Sequence, residues 1–141
     1  MGSKTEKKNE FASKNMNAYI VDTTVLIEHF RQNATATNFL KKHNPSFSTV
    51  SKAELIAGVK NKNELQSIIK LCSVFPENKI NEKIADSAIK LMEKYLLSRH
   101  LLFLDAIIAA TALEEDLTLV TDNFKHFSFI PSLKIQNWKE I

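Results

Sequence analysis

An α/β fold, a three-layer sandwich around a mainly parallel central sheet, is predicted for this chain by three observations. Short β-favouring runs alternate with longer stretches of helical spacing from Tyr19 onward. Two of these runs pass through an acid or hydroxyl residue straight into a helical pattern, as in Ile20-Val21-Asp22-Thr23 and Phe47-Ser48-Thr49-Val50-Ser51. The third observation is the stretch Leu101 to Phe127, LLFLDAIIAATALEEDLTLVTDNFKHF. There an apolar helix crowded with small residues turns a polar corner into a buried strand.

Taken in order, the first strand is Ala18-Tyr19-Ile20-Val21, ending at Asp22. Val25, Leu26, Ile27 and Phe30 form the helix behind it, with Thr23 or Thr24 as its cap and Asp22 as the alternative. Helical spacing resumes over Thr35 to Lys42 and stops at Asn44-Pro45. Phe47 to Val50 is the second strand. Ser51-Lys52-Ala53-Glu54 has the pattern of a capping box, a Ser N-cap with Glu three residues on, ahead of Leu55 and Ile56. Gly58, one turn later, suits a close backbone approach or a helix end. Glu64 to Leu71 is a further helix, and Ser73-Val74-Phe75 a brief third strand closed by Pro76.

From Asn81 to Leu97 a stripe through Ile84, Ala88, Leu91, Met92 and Tyr95 lies opposite a solvated face of Glu82, Lys83, Asp86 and Lys90. A helix opening near Asp105 follows, and Ala106, Ala109, Ala110 and Ala112 let it lie close against a sheet. After the corner Glu114-Glu115-Asp116, Leu117 to Val120 is a buried strand that delivers Thr121, Asp122 and Asn123 at its C-terminal end. Leu133-Lys134-Ile135-Gln136 adds an edge strand before Trp138.

The bulk numbers suit one compact domain: 141 residues, 44% hydrophobic. Residues 1–15 read as a flexible polar leader of the kind a vector supplies, with residues 16–141 as the single folded domain. That leader holds Lys4, Lys7, Lys8 and Lys14 against Glu6 and Glu10, so only +1 of the formal +3 belongs to the remainder. No dense basic stripe marks a nucleic-acid binder. The lone Cys72 sits among Ile68, Ile69, Leu71 and Val74 as a small core residue, which suits a reducing cytoplasm. The longest apolar run is broken by Asp105, short of the roughly 20 residues that span a bilayer, and no apolar signal region precedes it. No membrane association is expected.

Four acids carry the chemistry. Asp22, Glu54 and Asp122 each follow a strand closely, and Asp105 starts a helix packed on the sheet. Ligands in open parallel sheets bind beyond the strand C-termini, and right-handed crossovers let those ends converge on one edge. Carboxylates gathered there repel, which favours raised pKa values or a bound cation. Oxygen ligands without His or Cys suit Mg²⁺ or Mn²⁺, an ion that activates water and stabilises charge on a phosphodiester.

From Tyr19 to about Ile135 the chain resembles a PIN-domain ribonuclease, specifically the VapC-type toxin of bacterial toxin–antitoxin pairs. The segments that carry the resemblance are Ile20-Val21-Asp22-Thr23 with Val25-Leu26-Ile27, and Ser51-Lys52-Ala53-Glu54-Leu55 with Gly58. Leu104-Asp105-Ala106-Ile107-Ile108-Ala109-Ala110-Thr111-Ala112 and Leu119-Val120-Thr121-Asp122-Asn123 with His126-Phe127 complete them. The resemblance implies a PIN-like fold and a Mg²⁺- or Mn²⁺-dependent endoribonuclease silenced by a cognate antitoxin. Asp22, Glu54 and Asp105 fall on its three best-defined acid positions. The fourth is a position that varies, so Asp122, Thr121 or Asn123 completes the site, and His126 stands where many members carry Asp.

Under this reading Asp22 and Asp105 are the principal metal ligands, Glu54 positions water or a second ion, and Asp122 supports them. Thr23 orients a carboxylate or phosphate, while Lys52, Arg99 and Lys125 contact RNA phosphates. A homodimer is expected: Phe30, Phe39, Leu40 and the 62–98 helical region have core as their default role, and part of their apolar surface supplies a dimer face or a groove for an antitoxin helix. A catalytically degenerate PIN-like scaffold is the alternative. An α/β phosphotransfer domain with Asp22 as nucleophile ranks below both, because a phosphatase of that kind wants an acid where Thr24 stands.

Overall fold

Only three residues of each central strand are needed to build the sheet, because β-branched and aromatic side chains fill both of its faces. The computed structural model describes residues 18–141, so the polar leader and a start near Met16 lie outside the described residues. Within that range the strands are β1 (Tyr19–Val21), β2 (Ser46–Ser48), β3 (Glu77–Asn78), β4 (Thr118–Val120) and β5 (Ile135–Gln136). The helices are α1 (Thr23–Phe30), α2 (Ala34–His43), α3 (Thr49–Ala57), α4 (Lys62–Val74), α5 (Glu82–Arg99) and α6 (Phe103–Glu114).

All strand pairings are parallel, in the order β3-β2-β1-β4-β5. The chain runs outward from β1 through β2 to β3, then returns across the sheet to β4 on the other flank. The order therefore reverses between β1 and β4, and a crevice opens beyond their C-terminal ends at such a switch point. Alternation along β1 sends Ile20 into one core and Tyr19 and Val21 into the other. The first core is covered by α5 and α6, the second by α1, α2 and α4 with Trp138, which gives the three layers. Ala106, Ala109, Ala110 and Ala112 are all buried, as their small size predicts for a helix lying close on the sheet. Among the described residues no helix is long and apolar enough to cross a membrane.

Several local expectations are corrected. Ser51 does not cap a helix: Ser48 does, its hydroxyl accepting from the Val50 N–H, so α3 starts one turn earlier and Thr49 and Val50 leave the strand. Ser73 to Phe75 is not a strand. Ile68 and Cys72 continue a helical spacing, so α4 runs to Val74, and Phe75 turns extended ahead of Pro76, as a residue before proline must. The strand that pairs with β2 lies beyond that proline, at Glu77–Asn78. Asp22, not Thr23 or Thr24, caps α1. Gly58 ends α3 at φ −90°, and a Cβ there would meet nothing closer than 3.7 Å, so the helix-end role holds and no close approach needs it. Phe39 and Leu40 are core residues, not surface for a partner.

Candidate functional site

The switch point is occupied by a carboxylate. Asp22 follows β1 directly, is 7% exposed, and accepts from the Thr23 N–H at 2.8 Å and the Thr121 hydroxyl at 2.9 Å. The Thr24 hydroxyl adds a longer bond of 3.3 Å. Thr121 in turn accepts from the Asn123 N–H, so a backbone dipole at the end of β4 is relayed through a hydroxyl to Asp22. Burial pushes the Asp22 carboxyl above the ordinary aspartate range, and the negative charge of Asp105 pushes it further. The Thr121, Thr23 and Thr24 bonds pull the other way without overcoming burial. Among the described residues no lysine, arginine or histidine forms an ion pair with Asp22.

Glu54 joins through one hydroxyl. Thr23 Oγ1 lies 2.8 Å from both Glu54 Oε1 and Ser51 Oγ; with its single proton given to the carboxylate, it accepts from Ser51. Ser51 and Glu54 are three apart in α3, which places both on one helical face, turned toward the α1 N-terminus. The spacing that suggested a capping box thus serves a contact between helices. Glu54 itself is exposed and open to water.

Asp105 lies in the first turn of α6, which opens at Phe103, two residues before the expected start. Burial raises its carboxyl too, opposed by His126, whose Nδ1 stands 3.3 Å from Asp105 Oδ2. This His126 contact was absent from the expected site residues. Its only signal was its place in the segment following β4. Asp122 is exposed and pairs loosely with Lys139 Nζ at 3.7 Å. From β4, Thr121 is the side chain that bonds Asp22. Of the three expected phosphate contacts, Arg99 and Lys125 line a cavity with Asp105, whereas Lys52 is drawn 3.4 Å to Glu77.

The donor chemistry suits a hard divalent cation: oxygen ligands on a buried and a half-buried carboxylate, each made costlier to ionise by burial, with the charge of Asp105 adding to the cost at Asp22. Among the described residues no three His, Cys, Asp or Glu side chains stand ready grouped as a metal cage. What the fold supplies is Asp22 facing the charge of Asp105, with Thr23 giving its N–H to Asp22 and its hydroxyl to Glu54.

This arrangement of acids on a parallel sheet has known counterparts. A family model described as PIN domain matches residues 19–129, which takes in every residue placed above except Lys139. The chain belongs to the PIN domain family. Ribonuclease VapC10 of Mycobacterium tuberculosis is 38% identical over 120 residues, covering 82% of this chain and 90% of that protein. Ribonuclease VapC19 of the same species is 31% identical over 121 residues, covering 82% and 96%. Among solved structures, a toxin–antitoxin complex from Klebsiella pneumoniae matches with a TM-score of 0.73 at 29% identity, over 88% of this chain and 100% of that one. VapBC2 of Rickettsia felis, bound to a DNA fragment from its promoter, matches at 0.73 and 26% identity, over 86% and 98%. Within this PIN domain Asp22 follows β1 directly, Glu54 lies in α3 and Asp105 in the first turn of α6.

Proposed function

We propose that this PIN domain is a metal-dependent endoribonuclease, the toxin of a toxin–antitoxin pair, hydrolysing RNA phosphodiester bonds at the Asp22–Asp105 crevice. The observation that carries the reading is a buried carboxylate facing the charge of a second one, with no cation paired to it among the described residues. Left alone, such a pair is costly, and a divalent cation removes the cost. Kinship with two proteins named ribonucleases supports the substrate class.

Asp22 and Asp105 would hold Mg²⁺ or Mn²⁺, with Glu54 able to join. Bound there, the ion supplies an activated water and offsets charge on the phosphodiester. The residues of this chain do the rest. Thr121 and the Thr23 N–H fix the Asp22 carboxylate, so its oxygens need not reorganise when substrate arrives. Thr23 pins one oxygen of Glu54, which orients water at the exposed side of the crevice. His126 sets the position of Asp105, and Asp122 adds negative charge at the rim, countered by Lys139.

A cognate antitoxin belongs to the same reading. A groove of about 550 Å³ between α1, α3 and α4 is lined by Ile27, Phe30, Leu55, Val59 and Ile68 and has Glu54 on its wall. A helix seated in it would cover Glu54, which gives silencing a direct physical cause. Exposed Ile89, Leu96 and Leu97 on α5 supply a face for a homodimer, which light scattering at micromolar concentration would register. A cytoplasmic setting completes the reading.

The decisive experiment compares wild type, Asp22→Asn and Asp105→Asn on single-stranded RNA with Mg²⁺ or Mn²⁺. Loss of cleavage in both folded variants is expected. Undiminished cleavage by either removes its catalytic assignment. The lack of a ready-grouped cage among the described residues favours a scaffold as the second reading, and calorimetric titration with Mn²⁺ separates the two, since a scaffold has no use for the ion.

A further inference from the structure

A cavity of about 170 Å³ lies at the corner between α5 and α6, sharing no lining residue with the α1–α3–α4 groove. Its charged and titratable lining is Arg99, His100, Asp105, Lys125 and His126. The one acid already has a partner, His126 at 3.3 Å. Among the described residues neither Arg99 nor Lys125 forms an ion pair. Arg99 lies over the Phe129 ring, 5.5 Å from its centroid, and a guanidinium stacked this way keeps its N–H edge for an anion.

The corner holds its shape. His100 takes a left-handed conformation, φ 57°, that ends α5, and Leu101 is buried immediately after it. Lys125 rides on a 3-10 turn, Phe124–His126, followed at once by fully buried Phe127. The volume is roughly five to six times a water's share of the liquid, room for one hydrated phosphate. The α1–α3–α4 groove differs in kind: Glu54 and Glu64 outnumber Arg31 in an otherwise largely apolar lining.

We infer that this corner cavity is the phosphate subsite that fixes the path of the RNA, with Lys125 and Arg99 holding a phosphate adjoining the scissile one. The inference rests on the nuclease reading and adds a direction to it. The RNA crosses the α5–α6 corner toward Asp105 and stays clear of the acidic, apolar groove. Lys52 takes no part, being held by Glu77.

Binding measured without turnover tests it. Fluorescence anisotropy of a single-stranded RNA in EDTA, at several salt concentrations, is compared for wild type, Lys125→Gln, Arg99→Gln and the surface control Lys70→Gln. Each cavity substitution is expected to lower the slope of log K against log salt by about 0.7, which is a weakening of about fivefold at 0.1 M salt. The control is expected to leave both unchanged. Wild-type slopes in both cavity variants, or an equal change in Lys70→Gln, would overturn the subsite. So would NMR shifts at Lys125 and His126 that saturate with inorganic phosphate while the RNA slopes stay fixed, since the cavity would then take a free anion. Cleavage by wild type with Mg²⁺ is scored separately: slopes that fall without cleavage sink the nuclease reading and leave the subsite standing. A wild type that binds no RNA sinks both.

Discussion

Asp22 and Glu77 are both well-shielded carboxylates near the C-terminal edge of the sheet, and the fold treats them in opposite ways. Glu77 sits at the β2–β3 flank, its side chain 12% exposed, with the Thr49 hydroxyl at 2.6 Å, Lys79 at 3.0 Å and Lys52 at 3.4 Å. The Thr49 bond outweighs burial, the lysines add to it, and the Glu77 carboxyl is held below the ordinary glutamate range. Asp22, at the switch point, is given hydroxyls and one N–H but, among the described residues, no cation, and its carboxyl is pushed up. A chain that provides two lysines for one shielded acid and none for another is not short of lysines. The difference separates an acid kept for structure from one left open for a ligand.

Exchanging each acid for its amide should give the largest contrast. Asp22→Asn is expected to abolish RNA cleavage, by at least about 10²-fold, beyond the 10–100-fold typical of groups that merely support a metal ligand. It should raise thermal stability in EDTA at neutral pH, because a buried charge is removed while an amide oxygen can still accept from the Thr23 N–H. Glu77→Gln should do the reverse. Cleavage stays near wild type, and stability falls by about 1 kcal/mol, the scale of a lost charge-assisted bond with partly exposed lysines. Parallel melts and cleavage assays decide it; the contrast breaks if both variants move the same way.

Divalent ions should sharpen the comparison from the ligand side. At a hundred times its dissociation constant, Mn²⁺ is expected to stabilise wild type and Glu77→Gln by about 2.7 kcal/mol. Asp22→Asn and Asp105→Asn should show little of that gain. Equal stabilisation of all four proteins would place the ion elsewhere.

The pH dependence carries opposite signs. With its native pKa raised above 3.8, Asp22 keeps its proton in the fold while the unfolded chain has lost it. Stability from this group is therefore full below the unfolded value and declines as pH rises through the native one. Glu77, lowered from 4.5, contributes stability above that value, which is lost as pH falls through its native pKa. In EDTA, acidification should close the advantage of Asp22→Asn over wild type by protonating Asp22. Acidification through the native pKa of Glu77 should separately erase the deficit of Glu77→Gln. Melting curves between pH 3 and 7 follow both; an advantage of Asp22→Asn that widens on acidification would refute the burial argument.

Much of this was legible before any coordinates. The layers followed from alternation in Tyr19-Ile20-Val21 and from the small residues of α6, both local patterns that burial enforces. The strand end at Asp22 and the helix start at Asp105 are legible in the sequence, whereas Glu54, expected just after a strand, lies in the middle of α3. Register and partners are not legible. Ser48 and Ser51 each stand near the start of a helical pattern, and only the pairing of Phe47 with Glu77 fixes where β2 ends. His126 meeting Asp105 depends on a turn that brings residues 21 apart together, and no periodicity encodes such a contact.

Lys52 gives the smallest expected effect and the most selective one. Two residues before Glu54, it reads in sequence as a phosphate contact beside the acids. In the fold its ammonium turns to Glu77, and its side chain is 36% exposed. Lys52→Gln should therefore leave RNA affinity and its salt slope at wild-type values, and lower stability by no more than about 1 kcal/mol, as for a half-exposed pair. In a Glu77→Gln background the same substitution should cost less, because its partner charge is already gone. A double-mutant cycle by thermal melts, alongside RNA anisotropy, checks both parts. Should Lys52→Gln instead weaken RNA binding as Lys125→Gln is expected to, the β2–β3 flank would be part of the RNA path, and the division between structural and functional acids would have to move with it.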